Sequence, residues 1–170
     1  MSSTDRRVDI IKLLSANMRP IKGIDIASKY SVTRQVIVKD IAILRAEGND
    51  IIATPDGYII NKKNDRLKAI IAVSHSQEKL KEEMSIIIKY GGIVEDVVVE
   101  HALYGEIKGM LMISNQNEIE KFCKKCIKEK AKLLSVLTDG IHLHTISAQT
   151  KENLDLILYE LKEKGYIISD

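Results

Sequence analysis

Residues 31–45, Ser-Val-Thr-Arg-Gln-Val-Ile-Val-Lys-Asp-Ile-Ala-Ile-Leu-Arg, constrain the fold more than any other stretch of the chain. Val36, Ile37, Ile41 and Leu44 recur at helical spacing, so one side of a helix must face a core. Thr33 stands where an N-cap is needed, its hydroxyl able to accept from a free amide of the first turn. The other side carries Gln35, Val38, Lys39 and Ala42, flanked by Arg34. Small, amide-bearing and basic side chains near a helix N-terminus suit a DNA major groove: Gln can bond adenine in two places, Arg guanine, and Lys or Thr a phosphate. Thr33, Arg34, Gln35 and Lys39 are therefore the candidate DNA contacts. Asp40, beside the apolar stripe, has no role that the periodicity explains.

The surroundings sharpen this reading. A first helix is expected from about Thr4 to Asn17 and a shorter second one within Pro20–Tyr30, joined to the third by the turn Tyr30-Ser-Val-Thr33. Ile51–Thr54 and Tyr58–Ile60 are short β-branched runs separated by Pro55-Asp-Gly57, a hairpin signal in which Pro presets φ and Gly supplies φ > 0. Three helices followed by a hairpin make a winged helix-turn-helix domain, residues 1–61. A small helical core with a few exposed lysines would be the plain alternative, and the ordered set of elements argues against it. Residues 1–60 hold nine Lys/Arg against seven Asp/Glu, and the remainder seventeen against seventeen. Non-specific DNA affinity scales with the phosphates neutralised, so so weakly basic a module should need two copies on two half-sites, and a homodimer is expected.

No apolar run approaches the roughly 18 residues a membrane span requires, and the N-terminus lacks the pattern of a signal peptide. No membrane association and a cytoplasmic location are expected. Cys123 and Cys126 are the only cysteines. A zinc ribbon needs a second pair, so two packed thiols on one side of a helix are the simpler reading.

After the polar stretch Asn61–Asp65 the pattern changes, and residues 66–170 read as a second domain. Strands are expected at Lys68–Ser74, Ile93–Glu100, Ile107–Ile113, Gly140–Ser147 and Tyr166–Ser169, and helices at Gln77–Lys89, about Glu118–Leu134 and about Lys151–Lys164. Helices returning to one sheet give an α+β fold with a mixed sheet. All four histidines fall here. In Gly140-Ile-His-Leu-His-Thr145 a strand would aim His142 and His144 the same way, roughly 6.5 to 7 Å apart at Cα. His75 ends the first strand, just before the helix carrying Glu83 at the margin of its buried side. A carboxylate there is costly unless paired or coordinated. His75, Glu83, His142 and His144 thus form a candidate set for a divalent transition metal, Ni, Zn, Fe or Co. The spacing would equally suit histidines lining a solvated sheet face with Glu83 paired to a lysine. His101, close to Tyr104, could join this site, donate to a ligand or hold a turn, and the second option is favoured.

Ser31–Ile41 with Ile51–Tyr58 resemble the biotin-repressor-like winged helix. His75, Val99-Glu-His-Ala-Leu-Tyr-Gly-Glu106 and Leu137-Thr-Asp-Gly-Ile-His-Leu-His-Thr145 resemble the three-histidine ligand-binding domain. In this order they resemble the niacin-responsive transcriptional repressors of the NiaR type over nearly the whole chain. That resemblance implies dimers that repress genes of NAD biosynthesis and niacin uptake on operator DNA, with nicotinic acid or a related pyridine as effector. It also implies a divalent metal on His75, Glu83, His142 and His144, and His101 and Tyr104 are taken as ligand contacts. Two positions depart from the pattern: Ala102 replaces an expected proline and Asp139 an expected glycine. The first should loosen a turn, and the second adds a carboxylate near the metal strand. The rival readings are a metal-dependent hydrolase fused to a winged helix, a biotin ligase, for which the chain is too short, and an adaptor without DNA affinity.

Overall fold

In the computed structural model, which describes residues 2–61 and 65–168, the chain begins with helix α1 (Ser3–Ala16). Ser2 accepts from the Asp5 amide while the Asp5 carboxylate accepts from the Ser2 amide, a capping box that satisfies two donors no helical carbonyl can reach. Helices α2 (Gly23–Lys29) and α3 (Arg34–Ala46) follow. Between them Ser31 donates to Ser28 O and Val32 to Ala27 O, with Ser31 at φ 54°. This is a Schellman stop in which serine takes the left-handed place that glycine usually holds. Thr33 then caps α3, its hydroxyl accepting from the Val36 amide at 3.4 Å. Ile10, Leu14, Ile26, Ile37, Ile41 and Leu44 form the core, closed by Ile51.

Strands β1 (Ile51–Thr54) and β2 (Gly57–Ile60) pair antiparallel, with Thr54 opposite Gly57. Gly57 sits at φ 130°, where an added Cβ would lie 2.2 Å from the Ile21 carbonyl oxygen, so only glycine fits this turn. Ile21 and Tyr58 exchange both backbone hydrogen bonds at 2.9 Å, which ties the hairpin to the segment before α2. The unit is a winged helix-turn-helix. Asp40 finds its explanation here. It is 2% exposed, accepts from Arg6 Nε at 2.7 Å and lies 3.6 Å from Arg7 Nη1, so it fastens α3 to α1.

The chain separates into two compact units, residues 1–63 and 64–170; of the linker expected at 61–65, residues 62–64 lie outside the described residues. The second unit runs β3 (Leu67–Ser74), α4 (Leu80–Lys89), β4 (Ile93–His101), β5 (Gly105–Ile113), α5 (Gln116–Lys128), β6 (Ile141–Ala148) and α6 (Lys151–Glu163). Short 3₁₀ turns, Gln77–Lys79 and Leu134–Thr138, precede α4 and β6. The strand order is β3-β6-β4-β5, and every pairing is antiparallel. The α+β class stands, but the sheet is antiparallel rather than mixed. The reason is topological: β3, α4 and β4 form a crossover whose strands run the same way, and β6, arriving later in the chain, inserts between them in the opposite direction. Ile71, Val73, Val94, Leu111, Ile113 and Ile146 from the sheet pack with Met84, Ile87, Ile119, Ile157 and Leu161 from the helices.

Two expected elements are shorter than anticipated. Helix α5 stops at Lys128, because Lys130 turns left-handed at φ 49° and the Ala131 amide reaches back to Cys126 O at 3.0 Å. The strand expected at 166–169 is a single antiparallel bridge, Val73 to Ile167; Ser169 lies outside the described residues.

Candidate metal centre and nucleic-acid interface

Three segments of the second unit converge on one buried point. His75 follows the end of β3, Glu83 lies in the first turn of α4, and His142 and His144 project from the start of β6. Burial completes what the helical period began: Glu83 is 0% exposed, at the centre of the packed side rather than its margin. Glu82 faces away and accepts from Lys164 and Tyr166. Gly140 lets β6 start close to His75. At φ 96°, an added Cβ would lie 2.9 Å from the His75 carbonyl oxygen.

The hydrogen bonds define the chemistry. His75 Nδ1 faces Ser76 O at 2.8 Å, His142 Nδ1 faces Gly140 O at 2.8 Å, and His144 Nδ1 faces Asp96 O at 2.5 Å. A carbonyl oxygen can only accept, so each Nδ1 carries a proton; His142 and His144, when neutral, turn a bare Nε2 lone pair inward, and His75 Nε2 does so once the proton that bridges it to Glu83 Oε2 has left. Those lone pairs meet one another and a carboxylate. His142 Nε2 lies 3.1 Å from His144 Nε2, His75 Nε2 lies 2.6 Å from Glu83 Oε2, and His144 Nε2 lies 3.6 Å from Glu83 Oε1. Glu83 Oε1 is buried without a hydrogen-bond partner among the described residues. Four acceptors facing one another repel unless a cation, a proton or a metal ion, sits among them. The ligand atoms of His75, Glu83 and His142 lie within 4.8 Å of one another, so this triad could hold a metal ion.

Charge shifts follow the same geometry. Burial works against the Glu83 carboxylate, but the imidazoles of His144 and His75 outweigh it and bring its pKa down to about 2. Burial, then the neighbouring His144, lowers His142 to about 4, which keeps that ring neutral. For His75 burial opposes protonation, yet the Glu83 contact prevails and raises its pKa.

His101 and Tyr104 stand apart from this bonding. His101 Nδ1 accepts from the Leu103 and Tyr104 amides at 3.1 and 3.3 Å, holding the β4–β5 turn, and its ring lies 5.1 Å from that of Tyr104. No described hydrogen bond or ring contact joins either residue to the cluster. Asp139 occupies the left-handed region at φ 50° and is exposed, a backbone place suited to glycine rather than a ligand position. Two residues around the cluster escaped the sequence reading. The Tyr166 ring stands edge-on to His75 at 5.6 Å, and Asp96 supplies the carbonyl for His144. The acidic pair Glu95-Asp96, set between the apolar residues Val94 and Val97 of β4, was the available signal for the second.

In the first unit, Thr33, Arg34, Gln35 and Lys39 are all exposed on α3. The hydroxyl of Thr33 caps the helix, whereas among the described residues Arg34, Gln35 and Lys39 have no side-chain hydrogen bond or ion pair. Their donors face outward and uncommitted. Cys123 and Cys126 are half-buried on α5, and burial pushes both thiols up, as suits packed rather than reactive groups.

Comparison with known proteins agrees with both halves. The 3H domain family matches residues 68–170 and an HTH domain family matches residues 6–59. The chain is 40% identical to the probable transcription repressor NiaR of Thermotoga maritima, over 98% of this chain and 95% of that protein. The chain belongs to the NiaR-type, 3H-domain family. It is also 35% identical to the transcription repressor NadR of Bacillus subtilis, over 100% of this chain and 97% of that protein. An uncharacterized protein of Methanothermus fervidus is 28% identical over 92% of this chain but only 21% of its own length.

Proposed function

We propose that this NiaR-type protein represses genes of NAD biosynthesis or niacin uptake, with nicotinic acid as corepressor. Its winged helix binds operator DNA, and the chain is a regulator rather than an enzyme, as the names of its full-length relatives indicate. The single observation behind the sensing half is the knot of inward lone pairs on His75, Glu83, His142 and His144. All four side chains would hold a divalent ion, Ni, Zn, Fe or Co, which share an affinity for imidazole and carboxylate. Such an ion would supply a Lewis-acidic partner for the carboxylate or ring nitrogen of nicotinate. The protein supplies orientation: backbone carbonyls fix the three rings, while His101 through Nε2 and Tyr104 through its hydroxyl contact the polar end of the effector. Thr33, Arg34, Gln35 and Lys39 carry the DNA contacts, and the working form is a cytoplasmic homodimer on two half-sites. No helix among the described residues is long and apolar enough to cross a membrane.

A corepressor must bind the DNA-competent state more tightly than the incompetent one, because equal affinity shifts nothing. Operator DNA must then tighten nicotinate binding by the same factor. The test titrates labelled operator with and without nicotinate, after chelation and after metal restoration. Tighter binding only with both effector and metal supports the reading; one DNA affinity in all four conditions removes it. The hydrolase alternative has no support in the site: Asp139 and Glu106, its conceivable extra acids, are exposed, and neither has a described contact with the cluster.

A further inference from the structure

Strand β4 breaks register as it passes its neighbours. Its pairing with β6 shifts between Val94 and Val98, and its pairing with β5 shifts between Val94 and Asp96. Asp96 lies in this break and is 1% exposed. A charged side chain inside an apolar strand is costly, so its contacts must compensate. Oδ1 accepts the Thr145 amide at 2.9 Å, and Oδ2 takes Lys108 Nζ at 2.7 Å from β5. Its main-chain carbonyl accepts from His144 Nδ1 at 2.5 Å. One residue thus grips two consecutive residues of β6, His144 through its backbone and Thr145 through its side chain.

We propose that Asp96 is a positioning residue that fixes the tautomer and ring orientation of His144. The argument is geometric. A bulge turns a carbonyl out of the regular ladder, and something must hold it there. In a straight ladder the Thr145 amide would bond a β4 backbone oxygen; here the Asp96 carboxylate takes that amide instead, which leaves the Asp96 carbonyl free to face the imidazole. Lys108 neutralises the carboxylate from the opposite side. With the grip intact the His144 proton stays on Nδ1 and the Nε2 lone pair points toward Glu83 and His142. Without it the ring can rotate, and the proton can move to Nε2, the site imidazole prefers in water, where it blocks the inward position. Partners of this kind set ligand basicity and orientation in metal sites.

The metal-affinity part rests on the proposed ion site; the tautomer part does not. Long-range ¹H–¹⁵N spectra of the metal-free, full-length protein, recorded at a pH where the rings are neutral, report the tautomer directly. The wild type is expected to show His144 protonated on Nδ1, and Asp96→Ala to show a substantial Nε2-protonated population. Zn²⁺ affinity, read by competition with a coloured chelator, is expected to fall about 10- to 100-fold in that variant. Asp96→Asn, which keeps an oxygen for the Thr145 amide, should restore both readouts most of the way. If the alanine variant does not fold, Asp96→Val, which suits a strand, carries the same test. A folded Ala or Val variant with the wild-type tautomer and wild-type Zn²⁺ affinity overturns the proposal. A wild type that shows the Nδ1–H pattern, lost in the variants, but takes up no Zn²⁺ refutes the metal reading and upholds the positioning role.

Discussion

The ion pair beneath α3 permits a test of what holds the helix proposed to face DNA. Asp40 is 3% exposed at its side chain, while Arg6 is 13% and Arg7 19% exposed. Replacing Arg6 with Ala leaves a buried carboxylate whose remaining cation is 3.6 Å away, beyond hydrogen-bond reach. Removing one partner of a buried pair costs about 3 to 5 kcal/mol. Because Arg7 can swing closer and some water reaches the guanidinium groups, we expect less than that, about 2 to 3 kcal/mol. In a unit of this size each kcal/mol moves the midpoint about 4 to 8 °C, so the first unit should melt about 10 to 20 °C lower. Hydrogen exchange of the α3 amides in the full chain, with thermal unfolding followed by circular dichroism, reads the loss where it occurs. The paired change Arg6→Met with Asp40→Leu removes both charges and fills the space, and should recover most of the stability. The reasoning fails if Arg6→Ala costs under about 1 kcal/mol, or if the double variant loses the sum of the two single changes.

On DNA, Arg34→Ala and Gln35→Ala should each cost about 1 to 3 kcal/mol on the operator and little on random sequence, whereas Lys39→Ala should weaken all sequences alike and reduce the salt slope by about one, as gel shifts across salt concentrations will read. Metal uptake should weaken as pH falls toward 5. Glu83, held near a pKa of about 2, stays ionised throughout, but the raised pKa of His75 means that an entering ion must displace a proton there. Calorimetry of Zn²⁺ binding in buffers of different ionisation enthalpy should detect that proton, and pH-independent affinity between 5 and 8 would contradict it. Gly140→Ala should reduce Zn²⁺ affinity and the melting temperature together, since its methyl group meets the His75 carbonyl oxygen; unchanged values in both would mean the backbone accommodates it.

The winged helix was legible because each of its elements has a local cause: apolar spacing in α3, the Thr33 cap, and Pro55-Asp-Gly57 at the turn. The His-x-His alternation on β6 and the nearness of His75 to Glu83 were likewise local. What sequence concealed was produced by distant partners. Asp40 had no role until Arg6 and Arg7 arrived from another helix. The antiparallel sheet depends on β6 entering between β3 and β4, which no window of residues around either strand encodes. The stop of α5 escaped notice because Lys130, rather than glycine, adopts the left-handed position. Asp96 left only its acidic character as a signal, because its contact with His144 runs through a carbonyl, which every residue possesses.

The four inward side chains come from two distant parts of the second unit, His75 and Glu83 near its beginning and His142 and His144 toward its end, the first and last 69 positions apart. An ion seated among them would therefore work as a clasp on the whole unit, its binding free energy adding directly to folding free energy. Scarcity of that ion would leave the repressor easier to unfold and quicker to be degraded, so that metal supply would set how much repressor exists as well as how well it senses its effector.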